Sequence, residues 1–482
     1  MKNKMKTFLF YDIETSGLNP AFDQILTFAF IRTDFGLNEM DRQTITIRLR
    51  KDIVPSPKAF LTHGLTYDEL EHGVSEYEAA LKIHNILNTP GTISLGYNSL
   101  GFDDIFLRFL FYRNLLDPYL HQYANGCYRM DVLPITAVFR VFYPSCLKWP
   151  CVDGKPSLKL DLICSENRFV TSGRAHEAMN DVEAVIELVR RLILQKDIWK
   201  YCLGFFNKTR DEIRISSIEK TFDIQSERFS VCLMVSASFG AGKNYLVPVI
   251  RLGESRVYNN QSLWLRLDSD DIIGLGTDKD LKDTFVIRKR PGDALIVLPA
   301  LERFWTKLPE ASQQSADENM DKIRRHQERF LEFIEYHCRY EYPFVPDIDP
   351  DAALYQDGFF SALEKKQSDL FHKAANNRKK EVLQKIQSPR IKVLAGRIFD
   401  RNFKDEAEQS KDSEYHFYLN RLRSSLPEDQ FVGYKNDIKF NCEQGMRELK
   451  EVENDLLSLN PDQKKMFGWL KEYIMNLSIP PA

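Results

Sequence analysis

The sequence predicts a multidomain α/β chain in three parts: a sheet-and-helix domain, a small barrel-like β domain and a helical C-terminal part. Three observations predict it. Strand and helix signals alternate over roughly the first 200 residues; five short strand candidates follow between about 199 and 345; and the pattern from about 351 onward is helical. At 482 residues the chain is also too long for one ordinary core.

In the first part, residues 7–13, 24–32, 44–49 and 92–97 read as strands by their β-branched and aromatic content. Thr66-x-x-Glu69 and Ser75-x-x-Glu78 are capping-box spacings that start two helices. After Asp181, the residues Val182, Val185, Ile186, Val189, Leu192 and Ile193 fall on one helical stripe. In the second part the strand candidates are 228–236, 245–251, 262–267, 284–288 and 294–298, separated by Gly, Asn and Asp turns, which suggests a small barrel. A helical stretch over 317–338 and a linker marked by Pro343, Pro346 and Pro350 lead to the third part. There, Ile391, Leu394, Ala395 and Ile398 form one apolar stripe, and Phe467, Leu470 and Ile474 contribute to another.

Composition sets limits on function. Hydrophobic residues make up 43% and charged residues 28%, the profile of a globular protein, with no apolar run of membrane-spanning length. The basic start (Lys2, Lys4, Lys6) and apolar Phe8–Tyr11 are interrupted by Asp12 and Glu14, so no leader peptide is read and a cytoplasmic location is expected. Eight cysteines lie scattered between Cys127 and Cys442 without a C-x-x-C pair, which predicts reduced thiols and no zinc site. The net charge of −3 lacks the basic excess of many nucleic-acid binders. An enzyme that holds cations with carboxylates lowers its own net charge, however, so charge does not decide the matter.

The acidic set carries the chemistry. Asp12 and Glu14 are two apart at the end of the first strand, so their side chains share one face. Such a pair calls for a cation or strong donors if it is buried; hard divalent ions such as Mg²⁺ take oxygen ligands of this type. Alone, the pair is also compatible with two solvated strand-end acids. Asn98-x-x-x-Phe102-Asp103 follows a strand and opens an apolar helix, a position open to simple helix capping. His176 lies in a bend after Ser172-Gly173, and Asp181 heads the amphipathic helix. Histidine is the side chain whose proton moves most easily near neutral pH.

Taken together, D-x-E, N-x-x-x-F-D and H-x-x-x-x-D in this order and context resemble the DEDDh exonuclease family. The resemblance implies a ribonuclease H-like exonuclease domain with a mixed sheet and a two-metal site. Asp12, Glu14 and Asp181 would bind the ions, Asp103 would complete the second-ion site, and His176 would deprotonate the attacking water. Within the family the chain is similar to bacterial exonuclease I along its full length. That likeness rests on Leu95-Gly96-Tyr97-Asn98, Phe111-Tyr112-Arg113-Asn114, His176 to Val182, Leu354 to Phe360 and Arg401-Asn402-Phe403. It implies an exonuclease domain over 1–198, an SH3-like β-barrel domain over 199–347 and an α-helical C-terminal domain over 351–482.

The same resemblance implies Mg²⁺ as cofactor, with Mn²⁺ as a substitute, and 3′→5′ hydrolysis of single-stranded DNA to 5′-mononucleotides in repair or recombination. It further implies a monomer that contacts single-stranded DNA-binding protein through that protein's C-terminal tail. Glu14, Arg108, Tyr119, Lys159, Lys208 and Lys289 would bind the strand, cations on phosphates and rings on bases. A basic position of the family stands here as Ala137, which implies one missing phosphate contact. A DEDDh exoribonuclease would share the catalytic set, and a binding protein with a decayed nuclease domain is the rival from another class. Phe239-Gly240-Ala241-Gly242-Lys243-Asn244 lacks the first Gly and the Ser or Thr of a P-loop, and reads as a turn.

Overall fold

The computed structural model describes residues 6–169, 177–269, 272, 286–403, 414–424, 426–455, 457 and 459–478. Five strands form the first sheet: β1 (Thr7–Thr15), β2 (Ile25–Thr33), β3 (Glu39–Thr46), β4 (Thr92–Gly96) and β5 (Tyr128–Asp131), in the order β3-β2-β1-β4-β5. The first three run antiparallel, and β4 and β5 run parallel to β1, so the sheet is mixed. β3 starts earlier than the apolar pattern predicts. Its first six residues are exposed and, apart from Met40, polar, and pairing to β2, not alternation, makes them an edge strand.

Helices α1 (Pro57–His63), α2 (Tyr67–Glu71) and α3 (Glu76–Leu87) connect β3 to β4. Thr66 and Ser75 form both expected capping boxes, at the heads of α2 and α3. α4 (Asp103–Arg113) follows β4 and α5 (Val132–Phe142) follows β5; a short hairpin of β6 (Cys151–Val152) and β7 (Lys155–Pro156) precedes α6 (Leu160–Asn167) and α7 (Ala178–Leu192).

Alternation along β1 divides its side chains between two cores. Phe8 and Phe10 join Val138 and Phe139 of α5 and Val182, Val185 and Val189 of α7. Leu9, Tyr11 and Ile13 join Ala80 and Ile83 of α3 and Phe106 and Leu110 of α4. Asp12 and Glu14 therefore continue the Phe8–Phe10 side, toward α7.

α8 (Lys196–Leu203) and α9 (Lys208–Ser216) lead to a hairpin of β8 (Phe222–Ile224) and β9 (Glu227–Phe229). An antiparallel sheet follows: β10 (Val231–Val235), β11 (Leu246–Glu254), β12 (Ser262–Arg266), β13 (Val286–Lys289) and β14 (Ile296–Pro299). The barrel reading needs correction. The order is β13-β12-β11-β10-β14, with β13 and β14 at opposite edges, and among the described residues no ladder closes them into a barrel. Other elements cover both faces instead. Beyond α10 (Glu302–Trp305), α11 (Glu310–Arg325) and α12 (Gln327–Arg339) place Ala316, Ile323, Phe330 and Phe333 on Leu252, Leu263 and Leu265. Ile215 of α9 packs with Met234, Val247 and Trp264 on another core. The helix expected over 317–338 is two, broken at His326.

The third part comprises α13 (Leu354–Asp357), α14 (Ala362–Lys373), α15 (Lys379–Lys385), α16 (Pro389–Asn402), α17 (Glu414–Arg421), α18 (Cys442–Glu453) and α19 (Pro461–Ser478). Both expected stripes are buried, and both share cores with the first domain. Ile391, Leu394 and Ile398 join Phe22, Tyr77, Phe109 and Tyr112; Phe467, Leu470 and Ile474 join Leu26, Val54, Phe60 and Leu70. All eight cysteines are free thiols. Among the described residues no helix is long and apolar enough to cross a membrane.

A buried ion network ties the C-terminal helices to the sheet domain. Asp52 binds Arg50 at 2.9 Å and Arg401 of α16 at 2.8 Å; Arg401 also reaches Asp351 at 2.6 Å. Glu76 of α3 holds Arg50 at 2.5 Å and Arg113 of α4 at 2.6 Å. Burial alone would raise the Glu76 carboxyl, but Arg113 and Arg50 outweigh it and pull it down to about 2. Removing one member leaves a buried charge uncompensated, so Arg401→Met should cost about 3–5 kcal/mol. Urea unfolding of the full chain measures it, and a loss below about 1 kcal/mol would show that Arg401 is dispensable to the network.

Candidate active site

Three carboxylates meet where β1 ends. Ligand oxygens of Asp12, Glu14 and Asp181 all lie within 4.8 Å of one another, each side chain only partly exposed. Strand alternation sends the first two toward α7, and Asp181, in the first turn of α7, comes down onto them. Asp103, the buried first residue of α4, is the fourth acid. It does not act as the helix cap: Phe102 occupies that position without a side-chain bond.

Local backbone chemistry puts Asp103 there. The ladder between β1 and β4 ends at Phe10 and Leu95, and the strands then separate. Gly96 lies so close to β1 that an added Cβ would sit 2.6 Å from the Tyr11 carbonyl oxygen, which no other residue tolerates. Asn98 takes a left-handed φ of 64°, and Asp131 fixes this turn by accepting the backbone N–H of Asn98 at 2.9 Å and of Leu100 at 3.0 Å. A third bond, from the Leu133 N–H at 2.9 Å, makes Asp131 the cap of α5 as well. Sequence reading gave Asp131 no role. Its signal is an Asp directly before the helical Val132-Leu133-Pro134.

Crowding of like charges sets the electrostatics. Burial, then Asp103, Glu14 and Asp181, hold the Asp12 carboxyl well above its ordinary range. Glu14 is pushed up to about 8 by burial, Asp181 and Asp103. Asp103 is also raised, by burial first and by Asp131, although its own N–H and that of Ile13 oppose the shift. Carboxylates this close and this poorly solvated fit a divalent cation: hard oxygen donors, converging, with a strong electrostatic demand for positive charge. His176 lies outside the described residues; Glu177, next to it, is the cap position of α7.

Residues 9–189 match the RNase T exonuclease family. The chain is 34% identical over 275 residues to exodeoxyribonuclease I of Buchnera aphidicola subsp. Schizaphis graminum, covering 56% of this chain and 55% of that enzyme. Exodeoxyribonuclease I of Escherichia coli is 26% identical over 476 residues, covering 93% of this chain and 96% of its own length. The chain is thus similar to exodeoxyribonuclease I over nearly its whole length, and its residues 9–189 carry an exonuclease domain. A solved structure of E. coli exonuclease I in complex with a 5cy-dT13 oligonucleotide superposes with a TM-score of 0.79 at 25% identity, over 98% of this chain and 100% of that one. The likeness to that structure runs end to end, whereas the match to the Buchnera enzyme spans little more than half of that enzyme's length.

Of the expected strand-binding residues, three gather beside the acidic site. Arg108 of α4 lies 5.6 Å from the ring centre of Tyr119 and bonds the Tyr355 hydroxyl at 3.3 Å. Lys208 is the exposed first residue of α9; burial of its stem and the charges of Arg129 and Arg108 hold its ammonium below the ordinary lysine range. Sequence reading missed what aims Arg108: the buried Asp104 carboxylate, which also takes Arg129 at 2.5 Å and His121 at 3.0 Å. Lys159 is exposed just before α6, and among the described residues no contact joins it to this cluster.

Two expectations fail. Lys289 is fully buried, its Nζ 2.6 Å from the equally buried Asp211, so it cannot touch a strand. The pair instead anchors the loop after β13, where the Gly292 N–H donates to Asp211 at 2.9 Å. Ala137 is also fully buried, in the core between α5 and the first sheet, so no phosphate contact is missing there. Two short helical turns, Ala237–Phe239 and Ala241–Lys243, form the segment around Gly240, with Lys243 bound to Asp268 at 2.9 Å, as a turn reading requires.

Raised carboxyl pKa values mean that the folded, metal-free protein holds protons which the unfolded chain has released. Its stability should therefore fall as pH rises from about 4.5, the unfolded value, to about 8, the Glu14 value. Thermal unfolding in chelator should show this decline. Asp12→Asn should flatten it and raise the midpoint at pH 8 by roughly 2 °C or more. A metal-free midpoint that climbs over the same interval would contradict the crowding of acids.

Proposed function

We propose that this chain is an exodeoxyribonuclease I that hydrolyses single-stranded DNA from its 3′ end and releases 5′-mononucleotides. One observation carries the reading: four acids from β1, α4 and α7 converge at the edge of a mixed sheet, in a chain matching exonuclease I along its length. Asp12, Glu14, Asp181 and Asp103 would hold two Mg²⁺ ions, which suit an all-oxygen donor set. When bound, such ions stabilise charge on the attacking and leaving oxygens of a phosphodiester.

The chain's own groups do the rest. His176, five residues before Asp181, takes the proton of the attacking water. Arg108 and Lys208 bind phosphates, and Tyr119 offers a ring face to a base. Phe359, 74% exposed and edge-on to Tyr119 at 5.3 Å, extends that aromatic surface from the C-terminal part. The strand thus meets residues from all three parts, which we divide as 1–198, 199–347 with an SH3-like sheet, and 351–482.

The test uses the full chain and 5′-labelled oligomers of DNA and RNA. Cleavage should require a divalent cation, proceed from the 3′ end and favour single-stranded DNA. Asp181→Asn should retain binding but lose cleavage by several orders of magnitude, and His176→Ala should slow cleavage and flatten the acid limb of the pH–rate profile. Retention of more than about a tenth of the rate by Asp181→Asn would remove Asp181 from the metal site. An equal rate on RNA would favour the exoribonuclease reading.

A further inference from the structure

A second cleft lies at the other end of the first sheet. It encloses about 400 Å³ beside the start of β1 and the outer strand β5. Measured along β1 at the usual rise of a strand, it extends from about 13 Å (Phe8 to Asp12) to about 26 Å (Lys6 to Glu14) from the acidic site. Phe35, 51% exposed, and Tyr128, 38% exposed, present ring surface to it, with Trp199 of α8 beneath. Lys6 and Arg210 supply positive charge at its rim, and Lys6 already lies 5.2 Å from the Tyr128 ring centre. Among the described residues no Asp or Glu lines the cleft. In a chain of net charge −3 that is a selective absence, and it specifies an anionic occupant with flat apolar groups.

We infer that this cleft binds the upstream, 5′-side portion of the single-stranded DNA whose 3′ end occupies the acidic site. The inference rests on the exonuclease reading and extends it. Continuity favours DNA over an acidic peptide. The first turn of α9 carries Lys208 into the Arg108–Tyr119 cluster, while Asn207 and Arg210 of the same turn line the cleft. A strand leaving the cluster over Lys208 reaches the cleft past one partly exposed carboxylate, Asp293, which is paired with the cleft residue Arg129 at 3.5 Å. Bases would stack on Phe35 and Tyr128, and phosphates would face Lys6 and Arg210. Neither pair takes part in the chemistry, so the cleft sets how firmly a long substrate is retained.

Fluorescence anisotropy in the full-length Asp181→Asn background separates the two regions, using labelled strands of about 6 and about 30 nucleotides. The short strand fills only the acidic site and its adjoining cluster. Phe35→Ala with Tyr128→Ala should weaken binding of the long strand on the order of tenfold and leave the short one unchanged. Lys6→Glu with Arg210→Glu should do the same and reduce the salt slope for the long strand by about 1.4, two phosphate contacts. Both of these cations are at the surface, so the charge pair decides the matter if the ring variants fold poorly. Unchanged binding of the long strand, or equal losses on both lengths, overturns the inference. So does an acidic peptide that fills the cleft without displacing the long strand. Failure of the unaltered background to bind either strand would instead sink the exonuclease reading itself.

Discussion

Everything at the acidic site follows from one constraint: carboxylates that repel one another must stay together in a poorly solvated place. Water alone would let them separate. Here Phe8 and Phe10 fix the orientation of β1, and the same alternation commits Asp12 and Glu14 to that side. α7 is held on the sheet by Val182, Val185 and Val189, so Asp181 cannot withdraw. Asp131 spends its hydrogen bonds on the turn before Asp103. The fold therefore maintains a crowding of acids that bound protons or a cation relieve, and its cost is borne by a large hydrophobic core.

The opposite arrangement joins the parts of the chain. Asp52, Glu76 and Asp351 are buried among arginines: Asp52 holds Arg50 and Arg401, Glu76 holds Arg50 and Arg113, and Asp351 holds Arg401 and Arg397. Asp104 uses the same device with Arg108, Arg129 and His121. Acids without cations mark the site, and acids with cations mark the joints.

Local signals were legible in the sequence and distant pairings were not. Strand alternation in β1 and the helical stripe of α7 placed three of the acids, because each depends on neighbours a few residues away. Asp103 was legible as a position but not as an alternative to capping, which required the turn held by Asp131. Lys289 looked like a surface cation because its partner, Asp211, is 78 residues earlier. Ala137 could have been placed from its own context, since Ile135, Val138 and Phe139 around it are core residues. The open second sheet was hidden for a similar reason: strand spacing suggests a barrel, whereas the helices that cover the sheet, α9 before it and α11 and α12 after it, lie outside the run of strands. The motifs Leu354–Phe360 and Arg401–Phe403 were quoted only as likeness. In the structure Tyr355 touches Arg108 and Arg401 closes the ion network, so what they encode is contact with the first domain.

The shared cores carry a consequence for biogenesis. When the first 200 or so residues have left the ribosome, Phe22, Phe60, Leu70 and Phe109 still lack the helices that bury them. Those helices, α16 and α19, are made last. At the usual pace of synthesis the wait is about 15 to 60 s. For that interval the nascent first domain carries bare apolar surface on flanks destined for the C-terminal helices, a natural target for chaperones. A premature stop codon late in the gene should consequently yield a sticky, short-lived product rather than a smaller working enzyme.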